Sequence, residues 1–281
     1  MKITGKTQLL GVIGSPIEHS LSPIIHNAAL TEMGLDFAYV PFAIEPDDLA
    51  QAIAGFEAIG VRGFSVTIPH KQAIMPLLSH ITDVATAIGA VNTVWRSDRG
   101  WSGTNTDVVG FLSPLKSMPQ KAVAVILGNG GAARAVVAGC VQLGCKAIHV
   151  VGRNSEKLAA FRQSWREKTL FVHDWNALSE LLPIADLLVN TTPIGMSPQI
   201  DQSPLTADQA DQIKPGAIAY DLIYVPNPTQ FLQQAKRQGC TTIDGLEMLV
   251  QQGATALEIW TNQSVPVDTM RRSLQQHLGL R

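Results

Sequence analysis

Cysteine is scarce: the only three in 281 residues, Cys140, Cys145 and Cys240, form no CxxC pair and no metal-ligand spacing. That excludes a disulfide framework, and unpaired thiols fit a reducing compartment. Charge is sparse too. Asp, Glu, Lys and Arg make up 16% of the chain and leave a net charge of −2 at pH 7. A strongly basic polyelectrolyte is thereby excluded, and nucleic acid is not expected as a partner. No apolar run approaches the roughly 20 residues needed to cross a bilayer, so no membrane association is expected. Met1–Gly11 is mixed in polarity and lacks the long apolar core of a signal peptide. There is no G-x-S-x-G nucleophile elbow, no internal repeat and no low-complexity segment. His19 and His26 lie seven apart with His70 elsewhere, yet no Cys or Glu completes a ligand set at metal spacing. Metal-dependent chemistry is not expected. These absences point to a cytoplasmic protein.

What is present is apolar residues, 46% of the chain, enough for a sizeable core and a length suited to about two domains. The most informative stretch is Ala122–Ala135, AVAVILGNGGAARA. Its first six residues read as a strand buried on both faces of a parallel sheet. They run into Gly128-Asn129-Gly130-Gly131-Ala132-Ala133, which fits G-x-G-x-x-A, and then into a helix ending near Gln142 with Gly144 as its stop. Gly128 permits the tight turn, Gly130 lets a pyrophosphate approach the backbone, and Ala133 allows close helix–strand packing. The unpaired N–H groups of the helix start face the anion. The strand–turn–helix context makes this a dinucleotide site.

The next strand, Lys146–Val151, indicates which dinucleotide. An NAD site wants an acidic residue near its end to bind the ribose 2′-hydroxyl. The sequence there is Gly152-Arg153-Asn154-Ser155, with Lys157 one turn on. A cation in that place suits a 2′-phosphate, so the reading is NADP.

Ahead of the glycine loop, Gln8–Gly14 is a first strand, and Ser22 with Pro23 starts a helix as N-cap and first helical residue. Ile24, Ala28 and Leu30 are its core candidates. Asp36–Phe42 is a second strand. Pro46–Ile59 is a helix with Leu49, Ile53 and Phe56 on one face, and Gly63–Ile68 is a third strand. Thr82–Ile88 reads as a short helix. Ala90–Arg96 and Trp101–Thr104, joined by Ser97-Asp98-Arg99-Gly100, make a hairpin. A small α/β domain therefore precedes a link at Lys116–Gln120 and a doubly wound sheet. That sheet continues through Leu170–Val172, Asp186–Thr192, Ala217–Ile223 and Thr241–Ile243. Helices over Gly245–Asn262 and Val267–Leu278 close the chain.

Polar residues at strand ends of the N-terminal part are the candidates for chemistry. Ser20 and Ser22 lie at a helix start, where an anion is favoured. Ser65 and Thr67 alternate along one strand face. Lys71 follows the same strand, Asn92 sits in the strand Ala90–Val94, and Asp107 opens the helix after Asn105-Thr106. Lys71 with Asp107 beside it could serve as acid/base or electrostatic clamp for hydride transfer at a carbinol carbon. Spacing alone favours Lys71 as a surface residue and Asp107 as the N-cap of Val108–Leu115.

Together these stretches resemble the shikimate dehydrogenase family. The resemblance runs in order through GVIGSPIEHSLSPIIHN (11–27), SVTIPHK (65–71), GAVNT (89–93), GTNTDVVGF (103–111) and GNGGAARA (128–135). It continues through NTTPIGM (190–196), DLIYVPNPT (221–229) and DGLEMLVQQGA (244–254). It implies a two-domain α/β fold: an N-terminal substrate domain, residues 1–108 with 246–281 packing back on it, and a doubly wound Rossmann-like NADP domain, 109–245. It implies Lys71 and Asp107 as the catalytic pair. Ser20, Ser22, Ser65, Thr67, Asn92, Tyr224 and Gln252 would hold shikimate or 3-dehydroshikimate. Gly128, Asn129, Gly130, Gly131, Ala132, Gly152, Arg153, Asn154, Ser155, Lys157, Ile223 and Gly245, with Asp83, would line NADP. A monomer or homodimer is implied. Two departures stand out. Ser65 replaces the Asn usual in bacterial members, as in plant-like ones, and Gly152-Arg153-Asn154 replaces the common Asn-Arg-Thr.

Overall fold

The computed structural model describes residues 3–115, 118 and 120–280. Most of the expected link Lys116–Gln120 lies outside them. The chain divides into two units, at Gly110/Phe111 and again at Met248/Leu249, against 108/109 and 245/246 from the sequence.

In the first unit the chain alternates strand and helix. The strands are β1 (Gln8–Gly14), β2 (Phe37–Ala43), β3 (Gly63–Val66), β4 (His80–Ile81), β5 (Thr93–Ser97) and β6 (Gly100–Thr104). The helices are α1 (Ser22–Glu32), α2 (Leu49–Ala58) and the short α3 (His70–Ala73), α4 (Asp83–Ile88) and α5 (Asp107–Leu112). The sheet order is β2-β1-β3-β5-β6-β4. β1 runs parallel to β2 and β3, and β5 turns antiparallel to β3 and β6. The expected hairpin is present, with Ser97 opposite Gly100. Leu49, Ile53 and Phe56 all face the core, as the helical spacing predicts. In α1 the buried face is Ser22, Ile25, His26, Ala29 and Leu30, so Ile24 and Ala28 are corrected. The reason is tertiary. A Cβ on Gly253 would lie 3.0 Å from Ile25 and 3.3 Å from His26, so a helix from the C-terminal segment seats on that side of α1.

The second unit holds β7 (Val123–Leu127), β8 (Ala147–Gly152), β9 (Leu170–Asp174), β10 (Leu187–Asn190), β11 (Ile218–Asp221) and β12 (Thr241–Ile243). The connecting helices include α6 (Gly131–Gln142), α7 (Ser155–Gln163), α8 (Leu178–Leu181), α9 (Ala207–Ala210) and α10 (Gln230–Arg237). All pairs are parallel, in the order β12-β11-β10-β7-β8-β9. This is the Rossmann strand order, with its switch point between β7 and β10, where ligands bind at the strands' carboxyl ends. Every residue of β7 is buried, and each large aliphatic side chain so placed contributes about 1.5–3 kcal/mol. Two cores flank the sheet, one centred on Ile126 and Val150, the other on Leu127 and Leu188.

The C-terminal helices are α11 (Leu246–Thr261) and α12 (Val267–Leu278). α12 packs on α1. Trp260 of α11 donates its indole N–H to the Val94 carbonyl at 2.9 Å. Only a glycine fits at position 63 beneath that ring, since a Cβ there would come within 2.4 Å of it.

Candidate active site

Lys71, Asn92 and Asp107 lie where β3 and β6 end and the antiparallel β5 begins. Lys71 lies on α3 rather than at the end of β3, because the strand ends at Val66 and a helical turn begins at His70, with Pro69 in its N-cap position. Asn92 precedes β5 instead of lying within a strand. Asp107 is the first residue of α5, not its cap; its backbone N–H donates to Asn105 Oδ1 at 3.0 Å.

These three side chains meet. Lys71 Nζ donates to Asp107 Oδ2 at 2.6 Å, with both side chains largely buried. Asn92 Nδ2 donates to Asp107 Oδ1 at 2.8 Å, so each carboxylate oxygen has its own partner. Asn92 Nδ2 also contacts Thr106 Oγ1 at 3.0 Å and Gln252 Oε1 at 3.4 Å. Its Oδ1 accepts from the Thr106 backbone N–H at 2.7 Å and from Thr93 Oγ1 at 3.0 Å. Gln252, on α11, donates to the Leu249 carbonyl at 2.8 Å. The amide is therefore a splint between the strand and α5, holding one face of the carboxylate while the ammonium takes the other. A charge-assisted bond of this kind is about twice as strong as a neutral one.

A second cluster surrounds Tyr39. Its phenol donates to Ser65 Oγ at 2.9 Å and reaches Ser22. Burial pushes the phenol well above its ordinary range, which keeps it a neutral donor. Ser22 is not the N-cap expected from sequence. Leu21 occupies that position and Pro23 falls in the first turn, leaving the Ser22 hydroxyl to face Tyr39. Ser20 Oγ accepts from the Ser22 N–H at 3.4 Å. Thr67 sits half-buried just past β3. Tyr39 stacks on His26 with ring centroids 4.2 Å apart. Sequence reasoning missed Tyr39, Thr93 and Thr106. The Asn105-Thr106-Asp107 run carries a signal for Thr106; an aromatic in a strand carries none for Tyr39.

Asp83 begins α4, exposed, behind the Thr82 cap. Tyr224 belongs to the second unit, beyond β11, beside the buried Ile223.

In the second unit the turn after β7 fits a dinucleotide. Gly128 has φ +105°, and a Cβ there would lie 2.7 Å from Thr191 Oγ1. Gly130 caps α6 with no side chain, and nothing lies within 4 Å of where its Cβ would be. The first-turn N–H groups, from Gly131 and Ala132 onward, thus receive no side-chain cap from position 130. Asn129 Nδ2 is buried without a partner. At the end of β8, Gly152 packs on Leu158 and Asn129. Arg153, Asn154, Ser155 and Lys157 are exposed, and Asn154 Oδ1 caps α7 by accepting from the Lys157 N–H at 2.8 Å. Gly245 is required by close approach, since a Cβ would fall 2.2 Å from the Leu222 carbonyl oxygen. Among the described residues no group of three or more His, Cys, Asp or Glu is arranged to hold a metal ion.

Three family models match the chain. They are the shikimate dehydrogenase substrate binding domain over residues 12–94, shikimate/quinate 5-dehydrogenase over 114–249, and the shikimate 5′-dehydrogenase C-terminal domain over 245–275. Shikimate dehydrogenase (NADP(+)) of Trichormus variabilis is 62% identical over 287 residues, spanning 99% of each chain. The Aquifex aeolicus shikimate dehydrogenase structure is 37% identical with a TM-score of 0.87, covering 98% of this chain and 100% of that one. The shikimate 5-dehydrogenase of Thermus thermophilus, solved with NADP(H) and shikimate, is 33% identical with a TM-score of 0.85, covering 96% and 99%. The chain belongs to the shikimate dehydrogenase family.

Proposed function

We infer that this chain catalyses the reversible, NADP-dependent reduction of 3-dehydroshikimate to shikimate. The observation that carries the reading is the Lys71–Asp107 pair at 2.6 Å, braced by Asn92, in a chain of this family. NADPH, when bound, supplies the hydride. Lys71 Nζ gives the proton to the carbonyl oxygen as it becomes a hydroxyl, and takes it back in the reverse direction. Asp107 aims the ammonium and receives part of its charge. Ser20, Ser22, Ser65 and Thr67 offer hydroxyls to the substrate carboxylate, while Asn92, Tyr224 and Gln252 meet its ring hydroxyls.

For the cofactor, Gly128, Asn129, Gly130, Gly131 and Ala132 cradle the pyrophosphate. Gly152, Arg153, Asn154, Ser155 and Lys157 take the adenosine ribose and its 2′-phosphate, and Ile223, Gly245 and Asp83 complete the lining. The open backbone at Gly130 and the unpartnered amide of Asn129 support this assignment. Three free, buried thiols suit a cytoplasmic protein. A monomer or homodimer without nucleic acid is the assembly we assign.

The test is Lys71→Ala. Shikimate affinity by calorimetry should stay within about threefold, while kcat falls about 10²- to 10⁴-fold. If affinity and turnover drop together, Lys71 is a ligand anchor and the proton is handled elsewhere.

A further inference from the structure

Arg153 is the cation assigned above to the 2′-phosphate, and it is an exposed side chain on a loop. Left alone, such an arginine samples many rotamers and must lose that freedom before it binds a phosphate. The sheet register supplies the remedy. β8 and β9 pair in parallel with Gly152 opposite Asp174. The residues that follow, Arg153 and Trp175, therefore leave the carboxyl edge of the sheet side by side. The guanidinium carbon of Arg153 lies over the Trp175 ring, 5.0 Å from its centroid. Among the described residues no carboxylate pairs with Arg153.

Trp175 is itself held. It opens a helical turn capped by Asp174 Oδ1, which accepts from the Asn176 N–H at 3.1 Å. Its half-buried ring packs against the core that contains Leu178 and Val151. The platform is thus anchored by packing, with the cation over its ring.

We propose that Trp175 is a positioning residue for 2′-phosphate recognition, and hence for NADP over NAD. Stacking occupies a face of the planar guanidinium and leaves the N–H fork at its edge free. That fork is the part that binds two phosphate oxygens at once. An aromatic floor therefore fixes the plane of Arg153 without occupying its donors, which a carboxylate partner would do. This inference rests on the NADP reading.

Calorimetry with adenosine 2′,5′-bisphosphate and adenosine 5′-monophosphate tests it without turnover. Wild type should prefer the bisphosphate. Trp175→Leu, which keeps apolar bulk but no π face, should weaken bisphosphate binding about fivefold to tenfold and change the monophosphate less than twofold. Trp175→Phe should recover most of the loss, and Arg153→Ala should abolish the preference. Three results would overturn the proposal: Trp175→Leu binding both nucleotides like wild type, losing both equally, or failing to be rescued by phenylalanine. Each leaves NADP intact provided Arg153→Ala still loses the bisphosphate. Equal binding of the two nucleotides by wild type would instead remove the NADP reading itself.

Discussion

At the scale of single residues the site is a set of divided duties. Asp107 gives one oxygen to Lys71 and the other to Asn92, so the ammonium meets a carboxylate that cannot swing. Tyr39 does for the serines what Asn92 does for the carboxylate. Tyr39→Phe removes the donor to Ser65 and lets the Ser22 and Ser65 hydroxyls rotate. Chemical denaturation should show a loss of about 1 kcal/mol, and the KM for shikimate should rise severalfold with kcat nearly unchanged. A kcat loss matching that of Lys71→Ala would place the phenol in the proton step. Asn92 was legible in the sequence because it interrupts an apolar stretch; Lys71 and Asp107 were legible as a pair only through the family resemblance, since spacing alone favoured a surface lysine and an N-cap. Tyr39 was not: its neighbours Phe37, Ala38 and Val40 make it look like core, and its ring is core. Only its hydroxyl belongs to the site. Ser22 shows the converse, since its N-cap signature is real in sequence and unused in the structure.

Elements carry the next level, and two of them bury a titratable group against its preference. Asp221 ends β11, fully buried, where it accepts from Asn190 Nδ2 at 3.0 Å, the Ile223 N–H at 3.1 Å and Thr229 Oγ1 at 2.6 Å. Burial, joined by the nearby Asp244 carboxylate, outweighs these donors and pushes Asp221 up to about 7. His26 lies on the inner face of α1 in a triad of rings with Tyr39 and Trp260, with neither ring nitrogen hydrogen-bonded. Burial lowers it to about 3.

The signs are opposite. A raised carboxylate means the folded chain holds a proton that the unfolded one has released. Asp221 therefore favours folding at low pH and loses that contribution as pH rises towards about 7. A lowered imidazole means the unfolded chain binds the extra proton, so the His26 contribution is present above about 6.5 and is lost as pH falls towards about 3. Denaturation measured from about pH 7 down to about pH 5 should show Asp221→Asn losing ground to wild type as pH falls. His26→Phe should gain ground over the same interval. Slopes of the same sign, or two flat lines, would contradict this.

The buried parallel strands were legible because a continuous apolar run such as 123–127 has few alternatives. The two-residue β4, the single-turn α3, α8 and α9 and the true face of α1 were not. Their placement depends on partners distant in sequence, as Gly253 is from Ile25 and His26.

For the whole molecule the sequence yields a working division of labour. One unit carries a mixed sheet with the polar cluster at its strand ends; the other carries a parallel sheet in Rossmann order with a glycine turn at the switch point. The glycine turn was readable because phosphate binding leaves a backbone signature. The preference for a phosphorylated ribose was readable from the missing acid after β8. The tryptophan beneath Arg153 was not, since its relation to Arg153 exists only through the β8–β9 register. The most direct measurement is the rise of the reduced-nicotinamide absorbance with shikimate or quinate, each offered with NADP and with NAD. Shikimate with NADP should be fastest, by about tenfold or more over shikimate with NAD, the factor expected from one charge-assisted contact to the 2′-phosphate. A fastest rate with quinate and NAD, or no rise in any pairing, would contradict the account.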